Sequence, residues 1–287
     1  YELCPRYLGK VVKNVKIGPS PEWMQRRLNA CGIRAINNIV DITNYVMLEY
    51  GQPMHAYDLD NVKGHTITVR RGRAGETLET LDDQPHELNH ELIVISDAER
   101  AIGVAGVMGG ANSEVTENTV NILFEAATFK ASTVRRGAKA LGMRTDASAL
   151  FEKGLDVYNL DGAIDRACQL ITEMGAGEVM SGTVEAAAEM PKPFTLPLEA
   201  EKINSFLGMN IPKDAMVEIL KKLEFEVEND IITVPSFRPD IESRADIAEE
   251  IARIYGYDKI PSTLMKGSIT GGGKTYVQKL EDKVKEI

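Results

Sequence analysis

Cysteine is scarce. Cys4, Cys31 and Cys168 are odd in number and far apart in a chain of 287 residues. They make no disulfide framework and point to reduced thiols in a cytosolic protein. Long apolar runs are missing too. No stretch of about 18 apolar residues occurs, so nothing spans a bilayer. Net positive charge is absent. The formal charge is −10, which argues against a protein that coats nucleic acid. The chain opens at Tyr1 without Met, basic leader or apolar segment. No signal peptide is expected, and the sequence is expected to be a piece of a longer protein. What is there is ordinary for a globular protein: 43% hydrophobic and 26% charged residues. That excludes disordered, collagenous and membrane classes. The length suits two domains better than one.

Proline marks the division. Residues 185–198 read EAAAEMPKPFTLPL, with three of the twelve prolines between 191 and 197. Residues 191–198 read as a linker between domains. Residues 1–190 carry 19 Lys and Arg against 26 Asp and Glu, and residues 191–287 carry 14 against 17. Neither part is a basic module.

The first part mixes helices and strands. Ser20 as N-cap and Pro21 in the first turn start a helix that places Met24, Leu28 and Cys31 on one face. A 3.6-residue period from Ile36 to Tyr50, stopped by Gly51, predicts a second helix. Residues 65–73, 92–96, 101–107 and 120–126 read as short strands, with hairpin tips at Asp82-Asp83 and at residues 97–100. Residues 132–141 and 158–174 read as helices, the latter ending at Gly175. There is no βαβ alternation and no repeat, so the fold class is α+β. The second part reads as helix (199–207), helix (212–223), hairpin (225–234) and helix (244–255). That is a winged-helix-like arrangement spanning residues 199–262. Residues 263–287 read as a linker and the start of a further domain.

Familiar catalytic patterns fit poorly. His86-Glu87-Leu88-Asn89-His90 has the letters of a zinc protease. That chemistry needs both imidazoles on one helical face, whereas Pro85 precedes the pattern and a strand follows it. A polar loop between strands is the better reading. SITGGGKT at residues 268–275 has Ser where a phosphate loop needs its first Gly. GVAGVMGG at residues 103–110 is no dinucleotide fingerprint, and its glycines let backbones approach closely. No Ser lies in G-x-S-x-G and no Cys neighbours a His. An enzyme built this way takes its attacking oxygen from water or from the substrate.

Some residues carry more. His55, in GQPMHAYD, reads as lying in a loop that either caps a turn or brings an imidazole over the end of the helix holding Thr43 and Asn44. Glu125 sits in the apolar run ILFEAA. A carboxylate there is costly unless partnered, which leaves a structural ion pair and a ligand-reading group both open. Asp146, in RTDAS, reads as an N-cap. Asp246, Glu249 and Glu250 share one helical face by spacing, with Asp240 upstream. They read either as a solvated acidic face or as oxygen ligands for a hard cation such as Mg²⁺.

Four segments together carry a resemblance: CPRYLGKVV (4–12), NNIVDITNYVMLEYGQPMHAYD (37–58), GVMGG (106–110) and RTDASALFEKGLD (144–156). They resemble the β subunits of bacterial phenylalanyl-tRNA synthetases. PSFRPDIESRADIAEEIARIYGYDKIP (235–261) resembles the next module of the same subunits, in the same order. The resemblance implies a tRNA-editing domain over residues 1–190, then the small winged-helix-like domain. It implies hydrolysis of tyrosyl-tRNA(Phe) here, within an α₂β₂ enzyme that joins phenylalanine to tRNA(Phe) using ATP and Mg²⁺ in the cytoplasm.

Residue by residue, the resemblance assigns Glu125 to reading the tyrosine hydroxyl. His55 and Asn44 become candidates for positioning water and ester, and Thr43 lies near the amino acid and terminal adenosine. Gly109, Thr145 and Ala147 form the pocket wall, with Gly109 and Ala147 leaving space for the ring. Asp240, Asp246, Glu249 and Glu250 match a Mg²⁺ position facing the α subunit. Two other readings are kept: a non-catalytic scaffold that docks the α subunit and positions tRNA, and a zinc hydrolase through His86 and His90.

Overall fold

The structure is a computed structural model, and it describes every residue except 263, 265, 266, 268–271 and 287. The phosphate-loop-like stretch 268–275 therefore lies partly outside the described residues. Two compact units emerge. One comprises residues 1–195 with 233–242, the other 196–232 with 243–287.

The first unit opens with strand β1 (Arg6–Lys13) and helices α1 (Glu22–Ala30) and α2 (Asn38–Tyr50). Asn37, not an apolar residue, starts α2: its side-chain oxygen accepts from the amides of Ile39 and Val40 at 3.1 and 2.9 Å. Gly51 ends it in the left-handed conformation at φ 69°. Ser20 does not cap α1. Its hydroxyl donates to the buried carboxylate of Asp41 instead, and Pro21 holds the cap position. Cys31 turns out to solvent beyond the end of α1 and off the buried face expected for it.

Next come β2 (Met54–Asp58), β3 (Thr68–Arg71), β4 (Glu76–Glu79), β5 (Pro85–Leu88), β6 (Ile93–Ser96), β7 (Ala101–Val104), β8 (Met108–Gly109) and β9 (Ile122–Thr128). Helices α3 (Ala131–Ala140), α4 (Asp146–Phe151) and α5 (Asn159–Met174) and strands β10 (Glu178–Val179) and β11 (Val184–Ala187) complete the unit's main elements. The segment expected to be a loop around His55 is strand β2. The expected loop at His86 is strand β5, paired with β4 around the Asp82-Asp83 tip.

The central sheet runs β10-β1-β9-β2, with β11 also on β1, all antiparallel. Strand β9 lies in its middle, and all seven of its residues are buried. Its two faces serve different cores. Ile122, Phe124 and Ala126 pack with α1, α2 and α5. Leu123 and Ala127 face the second sheet, ordered β3-β6-β7-β8, together with α3 and α4. Period-2 alternation thus puts Glu125 on the face toward the second sheet. Arg6 ties the sheet edge to α5 and β11 through Asp161 and Glu185, each at 2.7 Å.

The second unit contains β12 (Thr195–Pro197), α6 (Ala200–Leu207), α7 (Lys213–Lys222), β13 (Glu226–Glu228), β14 (Ile231–Thr233), α8 (Arg244–Tyr255) and α9 (Tyr276–Lys285). The three strands form one sheet ordered β12-β14-β13. The end of the expected linker is therefore a strand, because its backbone donors and acceptors find β14. Among the described residues, no helix is long and apolar enough to cross a membrane.

Candidate active site

Register builds the site. Glu125 on β9 stands opposite Gly9 of β1 and His55 of β2. Tyr7 stands opposite Ala127, two residues along β9, and Tyr57 opposite Leu123, two residues back. All these side chains share one face, so both tyrosines lean diagonally toward the carboxylate. Both hydroxyls donate to the same oxygen, Glu125 Oε2, at 2.7 Å each. The other oxygen receives no hydrogen bond from the described residues, and Glu125 lines a cleft.

A buried carboxylate loses several kcal/mol of hydration unless it is well supplied with donors. Burial raises the Glu125 pKa above its ordinary value, and the two tyrosine bonds pull against that rise. Burial, then the Glu125 charge, pushes both tyrosines well above theirs, so they remain donors. Among the described residues no cation pairs with Glu125, where a structural ion pair was the other expectation.

The cleft lies in the first unit. It is lined by Met54, His55, Tyr57, the β7–β8 backbone from Gly103 to Gly109, Glu125, Ala147 and Phe151, among others, and its free volume is about 80 Å³. His55 is half-buried as a residue, yet its Nε2 is shut off from solvent and has no partner among the described residues. Desolvation lowers its pKa to about 4. The ring stacks edge-on against Tyr57, with centroids 4.5 Å apart.

Gly109 does not leave open space. A β-carbon there would come 2.4 Å from His55 Cε1 and 2.6 Å from Nε2. The imidazole itself fills the room expected for a ligand ring. Ala147 does line the cleft.

The structure thus brings His55, Gly109, Glu125 and Ala147 together. Thr43, Asn44 and Thr145 are not in the cleft wall. Thr43 is buried and donates to the Val40 carbonyl within α2. Asn44 is half-buried on the same helix. Thr145, rather than Asp146, is the N-cap of α4, in a reciprocal capping box with Ser148. Its hydroxyl also donates to the Val107 carbonyl at 2.8 Å and pins α4 against the β7–β8 turn.

Of the backbone amides near Gly109, that of Gly110 is spent on Ile102 and that of Val107 on Val104. Burial pushes the Cys4 and Cys168 thiols up to about 12 and about 11. Neither is a thiolate nucleophile near neutral pH. Tyr7 and Tyr57 were missed as site residues. The alternation Tyr7-Gly9-Val11 and His55-Tyr57 was the available signal, hidden because residues 51–58 read as a loop.

The other candidates stay apart. His86 sits on β5 with Glu87 on the opposite side of the strand, and His90 is exposed beyond its end. No helical face gathers them. Asp240 pairs with Arg238 at 2.6 Å. Asp246 accepts from the Ser243 amide and hydroxyl as part of a helix cap. Glu250 is turned to the buried side of α8 and pairs with Arg253 at 2.5 Å, while Glu249 faces solvent. The shared acidic face is therefore split. Among the described residues no group of three or more His, Cys, Asp or Glu is placed to hold a metal ion. On α8, Asp246, Glu249 and Glu250 do not by themselves gather into a Mg²⁺ site.

Residues 3–176 match the B3/4 domain family, and residues 196–257 match the tRNA synthetase B5 domain. Over its whole length the chain is similar to phenylalanine–tRNA ligase beta subunits. That of Clostridium tetani is 49% identical over 290 residues, which is 100% of this chain and 37% of the relative. That of Bacillus cereus is 48% identical, covering 99% of this chain and 36% of the relative. The Geobacillus kaustophilus subunit is 46% identical, covering 96% and 35%. The chain spans little more than a third of these curated relatives. A crystal structure of an N-terminal fragment of the phenylalanyl-tRNA synthetase beta subunit from Pyrococcus horikoshii aligns with a TM-score of 0.41 at 16% identity, over 89% of this chain and 72% of that one. That likeness is too slight to build on.

Proposed function

The chain belongs to the B3/4 domain family, and from that premise we propose that its first unit is an editing hydrolase for tyrosyl-tRNA(Phe) within a phenylalanine–tRNA ligase. A pocket shaped for phenylalanine rejects tyrosine incompletely, since tyrosine only adds a hydroxyl. A second site that hydrogen-bonds the hydroxyl discriminates strongly, because phenylalanine leaves its buried polar group without a partner.

One observation carries the reading. Glu125 is held at the cleft by two tyrosine hydroxyls on one oxygen, and its other oxygen takes no bond from the described residues. A buried carboxylate presented this way is an acceptor for a phenolic O–H. Tyr7 and Tyr57 fix its rotamer and bring no cation that would claim the second oxygen.

The cleft of about 80 Å³ is smaller than the roughly 150 Å³ cavity known to take a benzene ring. Ring entry therefore requires a wall to move. His55 is the side chain with the least to lose, since its Nε2 has no hydrogen bond to break. With a pKa of about 4 the imidazole is neutral at pH 7. It is a poor proton acceptor there and suits orienting water or the ester. In the reaction, water adds to the ester carbonyl, the bond to the ribose oxygen breaks, and tyrosine and a free ribose hydroxyl leave. Asn44 stays outside the cleft wall, and the Gly109 amide is the candidate oxyanion donor.

ATP, Mg²⁺, the α subunit and the α₂β₂ assembly belong, on this reading, to the ligation carried out by a whole cytoplasmic synthetase. No step of the hydrolysis is routed through them. The test is release of tyrosine from tyrosyl-tRNA(Phe), with phenylalanyl-tRNA(Phe) as comparison. Glu125→Ala is expected to lower the preference for tyrosine on the order of 100-fold, about 2.7 kcal/mol. A variant that still cleaves the tyrosyl ester and spares the phenylalanyl one sinks the assignment of Glu125, and a wild-type chain that releases no tyrosine favours a scaffold role.

A further inference from the structure

We propose that the outer face of α3, with the end of α4, is a phosphate-gripping surface for the RNA whose aminoacylated end enters the cleft. The inference rests on the hydrolytic reading of that cleft. It also revises what the net charge suggests, because the cations are not evenly spread. Residues 130–153 hold six Lys and Arg against two carboxylates in a chain of net charge −10.

Helix α3, ASTVRRGAKA, contains no acidic residue. Thr133, Val134, Gly137 and Ala138 are turned inward, and Arg135, Arg136 and Lys139 are exposed. Elsewhere in this unit Arg6, Arg70 and Arg166 each hold a carboxylate. Neither Arg135, Arg136 nor Lys139 makes a salt bridge among the described residues. Arg135 and Lys139 lie one turn apart, where like charges destabilise a helix. Lys153 is exposed just past α4, and Arg144 reaches Glu152 only at 3.5 Å. Such a stripe gains most from a polyanion that approaches from outside.

Position supplies the second argument. A β-carbon at Gly106 would come 3.1 Å from Val134 of α3 and 3.1 Å from Phe151 of α4. Gly106, Ala147 and Phe151 all line the cleft. The basic face is therefore the outer side of a helix whose inner side packs on a residue of the cleft wall, at least about one helix diameter (~10 Å) from the cleft. An extended strand that enters the cleft from the α3 side would cross it. Phosphate contacts of this kind position a nucleic acid without reading its sequence.

The experiment is fluorescence anisotropy with the 287-residue chain and a labelled, unacylated RNA hairpin bearing a single-stranded 3′ end, over 50–200 mM KCl. Arg135→Glu, Arg136→Glu and Lys139→Glu together are expected to weaken binding about 100-fold at low salt. Loss of three contacts should flatten the slope of log affinity against log salt by about 2 to 3. The triple Gln variant, which keeps good helix formers, should lose about tenfold and show the same flattening. Arg26→Glu, on α1 beyond the other face of the central sheet, should change little.

Unchanged affinity and slope in both triple variants overturn the proposal, as does an equal loss in Arg26→Glu. Displacement of the RNA by poly-glutamate as readily as by unlabelled RNA also overturns it, in favour of an acidic protein partner. Because the probe is unacylated, failure here leaves Glu125-dependent tyrosine release standing.

Discussion

Gly109 lies against the His55 imidazole with no room for a methyl group: a β-carbon would sit 2.4 Å from Cε1. The glycine permits the histidine, and the histidine closes the cleft. Gly109→Ala must therefore push the ring out of place or shift β8. Overpacking of this kind costs about 1–3 kcal/mol. A lower melting temperature together with loss of tyrosyl-ester hydrolysis is expected. A variant with unchanged melting and unchanged rate would show that His55 moves freely and that its packing has no part in the activity.

Removal of the carboxylate should be costly in itself. Glu125→Ala leaves the Tyr7 and Tyr57 hydroxyls, both buried, without their acceptor. Each orphaned donor costs about 1–3 kcal/mol. Urea unfolding should show a loss of at least about 2 kcal/mol, and Tyr7→Phe or Tyr57→Phe a smaller one. Stability equal to wild type would mean that the hydroxyls find other acceptors.

The pH dependence of that cluster has a definite sign. Burial raises the Glu125 pKa in the fold above its value of 4.5 elsewhere. The folded state then holds its proton to higher pH than the unfolded state. Glu125 contributes most below pH 4.5, and that contribution falls as pH rises through its folded pKa. The difference in unfolding free energy between wild type and Glu125→Gln should decline across that window. Tyr7→Phe removes a bond that favours the charged form, so it should move the decline to higher pH. A difference that grows with pH would reverse the assignment.

His55 has the opposite linkage. Its pKa falls from 6.5 to about 4. The neutral ring contributes fully above pH 6.5, and the contribution is lost as pH falls toward 4. Proton NMR should show the His55 ring unchanged between pH 8 and 5.5. Hydrolysis limited by this ring should show no inflection near pH 6.5.

Thr145 links a helix cap to the cleft wall. Thr145→Ala removes the cap on Ser148 and the bond to the Val107 carbonyl. About 1–2 kcal/mol of stability should go with it. Hydrogen exchange should quicken in α4 and in the β7–β8 turn together. Thr145→Ser should restore both, since it supplies the same hydroxyl.

Much of this architecture was written locally. Gly51, Gly175 and Gly208 stop α2, α5 and α6 in the left-handed conformation that suits glycine. The hairpin tips at Asp82-Asp83 and residues 97–100 follow from short polar segments between β-formers. Glu125 stood out because a carboxylate in an apolar run demands an explanation. Strand β2 was misread, since a short His-Ala-Tyr alternation after Pro53 resembles a loop until a partner strand is present. Ser20 looked like a cap for the same reason: nothing nearby in sequence announces that Asp41, 21 residues on, takes its hydroxyl.

What the sequence by itself determined, then, was the class, the glycine stops of three helices and a carboxylate set in an apolar run. The tertiary structure alone decided what surrounds that acid. Tyr7 is 118 residues from Glu125 and Tyr57 is 68, and both reach it only through the register of β1 and β2 on β9. A slip of one residue in either strand would turn its tyrosine to the other face. Register is fixed by burying both faces of β9 at once, a condition set by the packed whole and by no single segment.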